Sequence, residues 1–519
     1  MQETHLHISH AHEDPVPGTV YLNAEEGDET YYGQALFPIP TADPNDPLNL
    51  PRWRKYLALI SVVLFTLVGN ASILMPAPYI GTWSVEYGVT PQKASTVESY
   101  PVLMYALINL IWVPFALKFG RRPTWLTSII IFTVFQGVSA IAGDFQSLLA
   151  FNIVASTGAG ICETVAVMVV DDVFFLHERG AILTFYTAAL CLAAIAPFPS
   201  GYMLPNWHQA YWTTAGAGAC IFILGFFFVP ETYYDREEAL KKYSVETVTT
   251  GKLEGQHVQV SEEVTSLPPR KPYVQQLKPW SGINRKATFW VSAIRQFSFL
   301  AYPAVLWTII YYGIAIGIGA LFISYSFPAV ITAPPYNWSV QAGGTVTLAG
   351  FIGVLLSLPL GPLSDRWAAY MTRKNGGRRE PEYRLWCLVP ALIMSPCGLI
   401  LYGLSAHYKL HWFGMFFGVG LFHASNFHGF SILIAYMVDC YNRNTAELLG
   451  IFIACKGTLS FGMGFEVLTW IEQRGIAVIG GIFAAVMLFI YLWIFFFIAF
   501  GKDIRRWTAK WRISHLHKG

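Results

Sequence analysis

The sequence predicts an all-α membrane protein in which twelve transmembrane helices form two bundles of six. Of its 519 residues, 54% are hydrophobic and only 13% are charged, about half the charged share of a typical soluble domain. Twelve apolar runs are long enough to cross a bilayer, which takes about 20 residues each. A polar stretch divides these runs into two sets of six. The remaining length leaves no room for a large soluble catalytic domain.

The predicted spans occupy residues 56–80, 97–117, 124–143, 147–174, 181–203, 209–229, 299–326, 343–362, 387–405, 412–436, 446–470 and 476–500. They divide the chain into five parts, which are a cytosolic tail (1–55), a first bundle (56–229), a cytosolic central loop (230–298), a second bundle (299–500) and a cytosolic tail (501–519). The central loop is rich in charge and contains a Pro-Pro-Arg-Lys run, so we interpret it as a solvated linker.

The distribution of basic residues predicts the orientation, because cytosolic loops are enriched in Lys and Arg. With a cytosolic N-terminus, 30 of the 34 basic residues fall on the inner side; the exceptions are Lys93, Lys409 and Arg474 in outer loops and Lys456 within a span. Both termini are therefore expected in the cytosol. The first 50 residues are polar and acidic, which predicts a disordered tail rather than a signal peptide.

Several function classes are excluded by what the sequence lacks. The formal net charge of +2 gives no reason to expect nucleic acid as a partner. The seven cysteines have no metal or disulfide spacing, so we interpret them as packing residues. No phosphate-binding Gly-x-x-x-x-Gly-Lys-Ser/Thr loop occurs, and no nucleophile and base with a supporting motif lie in the spans. We expect no enzyme activity, no cofactor and no metal.

Matching turns close the second and eighth spans. Residues 119–123 read Phe-Gly-Arg-Arg-Pro, and residues 361–366 read Gly-Pro-Leu-Ser-Asp-Arg. Glycine allows close helix packing in a short turn, and cationic side chains hold the turn at the headgroup surface. Either turn alone is also typical of a plain basic anchor. Their equivalent positions favour two repeated bundles that face each other across a central cavity, as in secondary transporters.

With these motifs the sequence resembles the major facilitator superfamily, specifically its fungal branch related to drug:proton antiporters, from about Asp46 to Phe500. The Pro230-Glu231-Thr232 segment after the sixth span adds to the likeness. The resemblance implies a transporter that works by alternating access and whose inner loops control the conformational change. The loop residues that match are Lys118, Gly120, Arg121, Arg122, Asp172, Glu178, Arg179, Gly361, Asp365, Arg366 and Asp439.

Three departures from the family pattern weaken the expectation of proton antiport, although not that of transport. Leu117 stands where the family's first loop carries an Asp that latches the loop in one conformation. Asn152 corresponds to an Arg implicated in proton coupling. The Gly-Pro motif of the fifth span is reduced to Pro197, Pro199 and Gly201.

Polar residues at membrane depth are the main candidates for the site, because they are costly there unless they face a partner or a wet cavity. Asn152, Ser156, Gly160 and Glu163 have spacings that place them on one stripe of the fourth span. We predict that this stripe lines the transport cavity and that Glu163 is the protonation site, since desolvation favours a protonated carboxyl group. The alternative is small-residue helix packing with a satisfied polar network.

Two further spans contain polar candidates. Lys456 and Glu466 lie in the eleventh span, about 80° and 15 Å apart on an ideal helix, too far for a direct pair. In the tenth span, His423, Asn426 and His428 are candidates for proton relay or substrate binding. Packing histidines and, for Glu466, structural snorkelling are the alternatives. The five-residue spacing of the two histidines argues against a shared metal ion.

Aromatic residues make up 16% of the chain, and Trp307 and Tyr311 in the seventh span are candidates to line the cavity. An aromatic cavity favours flat, apolar or cationic solutes. Lipid-facing filler is the alternative for any single ring.

The leading hypothesis is a monomeric, proton-coupled exporter of a small amphipathic molecule, such as a drug or secondary metabolite, in a fungal plasma membrane. Its expected partners are the solute, protons and the lipid bilayer. Two alternatives stay open: an uptake carrier for an organic cation or polyamine, and a sensor that keeps the fold without transport.

Overall fold

The computed structural model describes residues 12–13, 16–22, 30–31, 34–35, 37–38, 40–41, 43–203, 206–236, 238–239, 269–280, 282–284, 288–339, 344–441 and 444–511. Most of them are helical, because in a bilayer a helix satisfies its backbone polar groups within itself. The largest apolar cluster runs through both halves of the molecule.

Spans one to six are built from the helices Arg52–Leu74 and Ile80–Glu86; Thr96–Leu107 and Asn109–Phe119; Arg121–Ser139; Phe145–Ala159 and Cys162–Val173; Leu176–Leu192 and Pro197–Tyr202; and Trp207–Phe228. Spans seven to twelve are Pro303–Ile314 and Leu321–Thr332; Val346–Ser357 and Leu360–Lys374; Val389–His407; Trp412–Cys440; Thr445–Arg474; and Ile476–Thr508. Short helices Pro91–Ala94, Tyr273–Gln276 and Phe289–Ser298 lie between spans.

Short segments of 3-10 and π helix lie within and between these spans. Turns of 3-10 helix occur at Pro47–Asn49, Ala77–Tyr79, Ala193–Ile195, Phe299–Ala301 and Pro381–Leu388, and a π-helical turn at Ala315–Ala320 joins the two parts of span seven. The helix of span twelve continues past residue 500, and Phe289–Ser298 is helical within the segment that was expected to be a linker.

Ten of the helical segments are long and apolar enough to cross a membrane by length and composition alone. The helices at the positions of spans three and ten fall outside this set. Span ten contains His423, Asn426 and His428, which lower its mean hydropathy, and span three begins with two arginines. Both helices pack among the other spans, so the twelve-helix, two-bundle fold that the sequence predicts is confirmed.

The face that carries Arg121, Arg384 and Arg505 at the ends of its spans is called the basic face here. Short strands lie on it. His12–Glu13, Val20–Tyr21 and Arg378–Arg379 pair antiparallel in that order, and Thr30–Tyr31 pairs with Gln34–Ala35. The prediction of a disordered N-terminal tail is therefore wrong for residues 16–22, because their backbone finds partners in the loop before span nine.

Candidate functional site

One ion pair joins the two halves of the molecule inside the membrane region. The Nζ atom of Lys456 in span eleven lies 2.5 Å from Oε2 of Glu163 in span four. Glu163 is 4% exposed and Lys456 is 7% exposed. A buried pair of this kind is strongly destabilised if one partner is removed, because the other charge is left without compensation. The pair therefore links the packing of the halves to the charge state of its two groups.

A short chain of hydrogen bonds holds the carboxylate of this pair. The hydroxyl of Tyr105 donates to Oε1 of Glu163 at 3.0 Å and also lies 3.1 Å from the sulfur of Cys162. Asn70 in span one donates to the Tyr105 oxygen at 3.0 Å. Each carboxylate oxygen of Glu163 thus has its own donor, Tyr105 on one side and Lys456 on the other.

The lysine side of the pair lies among aromatic rings. Lys456 Nζ is 5.7 Å from the ring centre of Tyr312 and 5.5 Å from that of Phe452. A cation within about 6 Å of a ring face is attracted to it. Tyr186 of span five is buried within electrostatic range of Glu163. Spans one, two, four, five, seven and eleven therefore all contribute to this central site.

A break in span four sets the position of Glu163. The helix Phe145–Ala159 ends before Gly160, and the next helix starts at Cys162. A Cβ on Gly160 would lie 2.2 Å from Ile108 Cγ2 and 2.7 Å from the Tyr105 carbonyl oxygen. Only glycine allows this close approach of spans four and two, and the approach brings Tyr105 against Cys162 and Glu163.

Two members of the polar stripe expected along span four, Asn152 and Ser156, have partners within the first bundle. Asn152 donates to the hydroxyl of Tyr211 in span six and to the Leu148 carbonyl, which places it inside the first bundle. Ser156 donates to the Ile153 carbonyl of its own helix. The two helices of this span meet at Gly160 and Ile161, between Ser156 and Glu163. Asn152 and Ser156 thus fit the packing alternative, whereas Glu163 faces the other half.

The three polar candidates of span ten have their partners inside the second bundle. Nδ1 of His423 lies 2.9 Å from the carbonyl of Val419, and Nε2 of His428 lies 2.8 Å from the carbonyl of Cys387. Asn426 accepts a long hydrogen bond of 3.4 Å from Tyr311. None of these contacts joins span ten to Glu163 or Lys456. Among the residues described, no cluster of three His, Cys, Asp or Glu groups suits a metal.

The remaining membrane candidates lie apart from the central pair. Glu466 is exposed, ten residues beyond Lys456 on the same helix. Trp307 donates to the Ile490 carbonyl of span twelve at 3.1 Å, and its ring stacks on Phe497. Tyr311 bonds to the hydroxyl of Tyr491, also in span twelve, at 2.6 Å. Trp307 and Tyr311 thus fasten span seven to span twelve.

On the basic face, the turn after span two is tied to the segment after span six. Gly120 has a φ of +102°, a backbone conformation that suits glycine. The carboxylate of Glu231 caps the start of span three by accepting from the backbone N–H groups of Arg121 and Arg122. Arg121 also pairs with Asp172 at 3.2 Å. The turn thereby joins spans two, three, four and six.

Other loop candidates of the first half have local partners. The guanidinium of Arg122 donates to the carbonyls of Phe226, Val229 and Leu277. Arg179 pairs with Asp171 and donates to its carbonyl at 2.9 Å. The ammonium of Lys118 lies 5.9 Å from the neighbouring Phe119 ring. Glu178 is half-buried in the first turn of span five.

The second half has a denser ionic cluster on the same face. The buried Arg384 pairs with Asp365 at 2.6 Å and with Asp439 at 2.9 Å, and Arg379 lies 3.9 Å from Asp439. Burial, together with the neighbouring Arg384, lowers the pKa of Arg379 to about 10. Arg366, next to Asp365, is exposed. We call Asp365, Arg379, Arg384 and Asp439 the ionic cluster.

This cluster lies at a seam between the halves. A Cβ on Gly180 of span five would fall 2.1 Å from an oxygen of Asp365, so the carboxyl group sits directly on that helix. A Cβ on Gly361 would fall 2.0 Å from Oγ1 of Thr184. The hydroxyls of Thr184 and Ser431 are 2.9 Å apart across the seam. In this structure the halves are therefore closed against each other at the basic face.

Two residues of the central site, Tyr105 and Asn70, were missed by sequence reasoning. They carry no motif, and a tyrosine in an apolar span is typical of packing. Tyr186 was recognisable only as one of several aromatic residues that could line the cavity. The signal that pointed to Glu163 and Lys456 was their charge at membrane depth. Nothing in the sequence indicated that Glu163 and Lys456 pair with each other, because 293 residues separate them.

Comparisons with known proteins agree with this architecture. The model of the Major Facilitator Superfamily matches residues 57–465. Among curated proteins, the MFS-type transporter penM of Penicillium rubens is 26% identical, covering 80% of this chain and 79% of its own. The efflux pump FUB11 of Gibberella moniliformis is 25% identical, covering 92% and 79%. Among solved structures, the proton:xylose symporter XylE has a TM-score of 0.61 at 13% identity, covering 86% and 96%.

Proposed function

Because this chain belongs to the Major Facilitator Superfamily, we propose that it is a secondary active transporter that exports a small amphipathic organic molecule in exchange for protons. The observation that carries this proposal is the buried ion pair between Glu163 and Lys456, which connects the two halves. In alternating access the halves rock against each other around a central site. A charge pair at that place is the contact that a proton can change most.

The proposed coupling follows from electrostatics. While Glu163 is ionised, its attraction to Lys456 holds span four against span eleven, and the low dielectric around both groups makes this attraction stronger than in water. A proton on Glu163 removes the negative charge and leaves the Lys456 ammonium without its partner. The halves can then separate and let water or solute reach the lysine. Release of the proton on the other side restores the pair.

The groups that face Glu163 limit where the proton can come from. They are Lys456, Tyr105, Cys162, Tyr186, Cys191 and Tyr312. None of these six is a carboxyl group that could accept the proton in place of Glu163. We therefore assign the proton to Glu163 and the response to Lys456.

The expected substrate class follows from the surroundings of the pair. The rings of Tyr105, Tyr186, Tyr312 and Phe452 offer stacking surface, and the ion pair offers one anion and one cation. A solute with an apolar body and a polar or charged end fits this combination. Export is favoured because the relative FUB11 is named an efflux pump.

The experiment that tests direction and solute together compares metabolites in the medium and in cell extracts with and without the gene. A solute that disappears from the medium and accumulates in the cells when the gene is deleted is the expected result. That solute is then loaded into proteoliposomes with a pH gradient, where flux must follow the gradient. Accumulation inside wild-type cells would instead favour the uptake carrier, and binding without flux would favour the sensor.

We also propose that the basic face is cytosolic and that the membrane is the plasma membrane. Thirty of the 34 basic residues support this orientation. A protease added to intact spheroplasts should leave a C-terminal tag uncut, and should remove it once the membrane is permeabilised. Cleavage of the tag in intact spheroplasts would contradict the proposed orientation.

A further inference from the structure

The N-terminal tail lies across the basic face and adds a strand to the second half. Val20 and Tyr21 pair antiparallel with Arg379 and Arg378, in the loop before span nine. The backbone N–H of Leu22 continues the pairing by donating to the carbonyl of Gly377 at 2.9 Å. The tail thus enters the second half by backbone hydrogen bonds, although in sequence it precedes span one of the first half.

A buried arginine fixes the tail from the other side. Arg505, at the end of span twelve, donates to Thr19 at 3.2 Å and to the carbonyl of Pro17. Its other nitrogens bind the carboxylates of Glu380 and Glu382. Thr19 also donates to Glu380 at 2.7 Å. The tail, the loop and span twelve therefore share one hydrogen-bond network.

The same network keeps Glu380 charged. Burial opposes its charge, but hydrogen bonds from Lys502, Thr19 and Arg505 outweigh burial and hold the pKa of this carboxyl below its ordinary value. Near neutral pH the carboxylate of Glu380 is therefore ionised and can accept the hydrogen bond of Thr19, so the network is complete.

The tail also contacts the first half. The carbonyl of Phe37 accepts a hydrogen bond of 2.8 Å from the backbone N–H of Leu176, at the start of span five. Val20, Leu22 and Leu176 form a small buried cluster with Phe37 packed against it. A single segment thus touches span five of the first half and the loop before span nine of the second half.

The N-terminal tail lies directly over the seam between the two halves. Gly18 packs on the backbone of Asp439 and Cys440, where a Cβ would come within 2.5 Å of the Asp439 carbonyl oxygen. Asp439 belongs to the ionic cluster, whose Asp365 rests on span five. The seam cannot widen at this point without changing the contacts of the tail.

We propose that residues 16–22 are a clamp that holds the two halves closed at the basic face and must leave its site before that face can open. The clamp rests on the alternating-access part of the proposed function, and does not depend on the solute, on the proton or on the direction of transport. It acts as a tether in cis, with the strand Arg378–Arg379 as its docking edge.

The test measures how often the seam opens. Ser431, which lies in the closed seam, is replaced by cysteine, and the purified full chain is exposed to a bulky membrane-impermeant maleimide. Mass spectrometry with peptide fragmentation assigns the label to position 431, which separates it from the native Cys440 nine residues further along span ten. Removal of residues 2–22 should raise the rate about five- to thirtyfold, the factor expected from losing a few net hydrogen bonds. Removal of residues 2–11, which leaves Val20 and Tyr21 in place, is the matched control and should not change it.

A point variant gives the same result without shortening the chain. Gly18→Val should raise the labelling rate, because Gly18 has a φ of +78° and no space for a side chain. Gly88→Val is its control, since Gly88 has a φ of +62° but open space around it. This control strains the backbone without touching the tail and should leave the rate unchanged.

The converse variant locks the clamp. Tyr21→Cys together with Arg378→Cys places two thiols on directly paired residues, within reach of a disulfide. Oxidation should suppress labelling at position 431, and a reductant should restore it. Equal labelling with and without the tail would overturn the clamp and leave the transporter proposal intact. Absence of labelling in every variant would overturn both proposals, because no seam would then open.

Discussion

Buried ion pairs occur at two depths of this protein, the membrane region and the basic face, and they differ in how many charges take part. In the membrane region Glu163 pairs with the cation of Lys456, and the pair is almost fully buried. At the basic face, Arg384 joins two carboxylates, and Arg379 lies near one of them. The central pair connects spans of opposite halves directly, whereas the ionic cluster belongs to the second half and contacts span five where Asp365 lies against Gly180.

The difference teaches how each place responds to the loss of a charge. Removing one member of the central pair leaves the other buried and unpaired. Removing one carboxylate from the ionic cluster leaves Arg384 with a second. A single pair suits a switch, since one proton changes its whole interaction energy. A cluster with more than one partner suits a latch, which keeps part of its strength when one contact is lost.

The largest expected effect is on the switch. Glu163→Gln keeps the shape of the side chain but can neither bear the charge nor exchange the proton, so proton-coupled transport should be abolished while the protein stays in the membrane. Flux of the identified solute in proteoliposomes with and without a pH gradient measures this. The matched control is Glu466→Gln, which removes an exposed carboxylate from span eleven and should keep at least half of the flux. Flux that still depends on pH in Glu163→Gln would remove Glu163 from the mechanism.

A second variant separates the stability of the central pair from its function. Lys456→Gln leaves Glu163 buried without a cation and should destabilise the folded protein by about 3 to 5 kcal/mol. The double variant with Glu163→Gln should recover most of this stability without recovering coupled transport. Unfolding of the detergent-purified protein, followed by tryptophan fluorescence, reports the stability. Equal destabilisation of the single and double variants would mean that the two side chains do not compensate each other.

The latch should respond less. Asp365→Asn removes one charged hydrogen bond of Arg384 while Asp439 remains, so we expect a loss of about 1 to 3 kcal/mol and partial transport. Asp503→Asn is the matched control, because its pair with Arg506 is exposed on the same face and should contribute little. If Asp365→Asn behaves like the control, the contact with Gly180 does not hold the seam.

The smallest effect is expected at the loop of the first half. Leu117 is partly buried and packs against the core, and its backbone carbonyl lies within 3.5 Å of Asn284 from the central segment. Leu117→Ala should cost about 1 kcal/mol, because only part of the side chain is removed from water, and transport should change little. A loss of transport as large as in Asp365→Asn would show that the two loops are equivalent despite their different residues.

Part of the site could be predicted from the sequence, and the boundary has a physical reason. Glu163 and Lys456 were recognisable singly, because a charge inside a lipid-spanning segment is costly wherever the helix points. Asn152 and Ser156 were assigned to the same stripe as Glu163 by assuming regular helix geometry. The partners of Asn152 and Glu163, which are Tyr211 in span six and Lys456 in span eleven, depend instead on how the helices pack.

The sequence by itself determined the membrane fold, the two bundles and the basic loops. Hydropathy and the distribution of Lys and Arg are local properties, and they decide directly which segments enter the bilayer and which loops stay in the cytosol. Only the tertiary structure decided which charges meet. The distance between Glu163 and Lys456, the contact of Asp365 with span five and the docking of Val20 on the loop before span nine join segments far apart in sequence. Such contacts depend on how helices pack, and packing is decided by the shapes of all the side chains together.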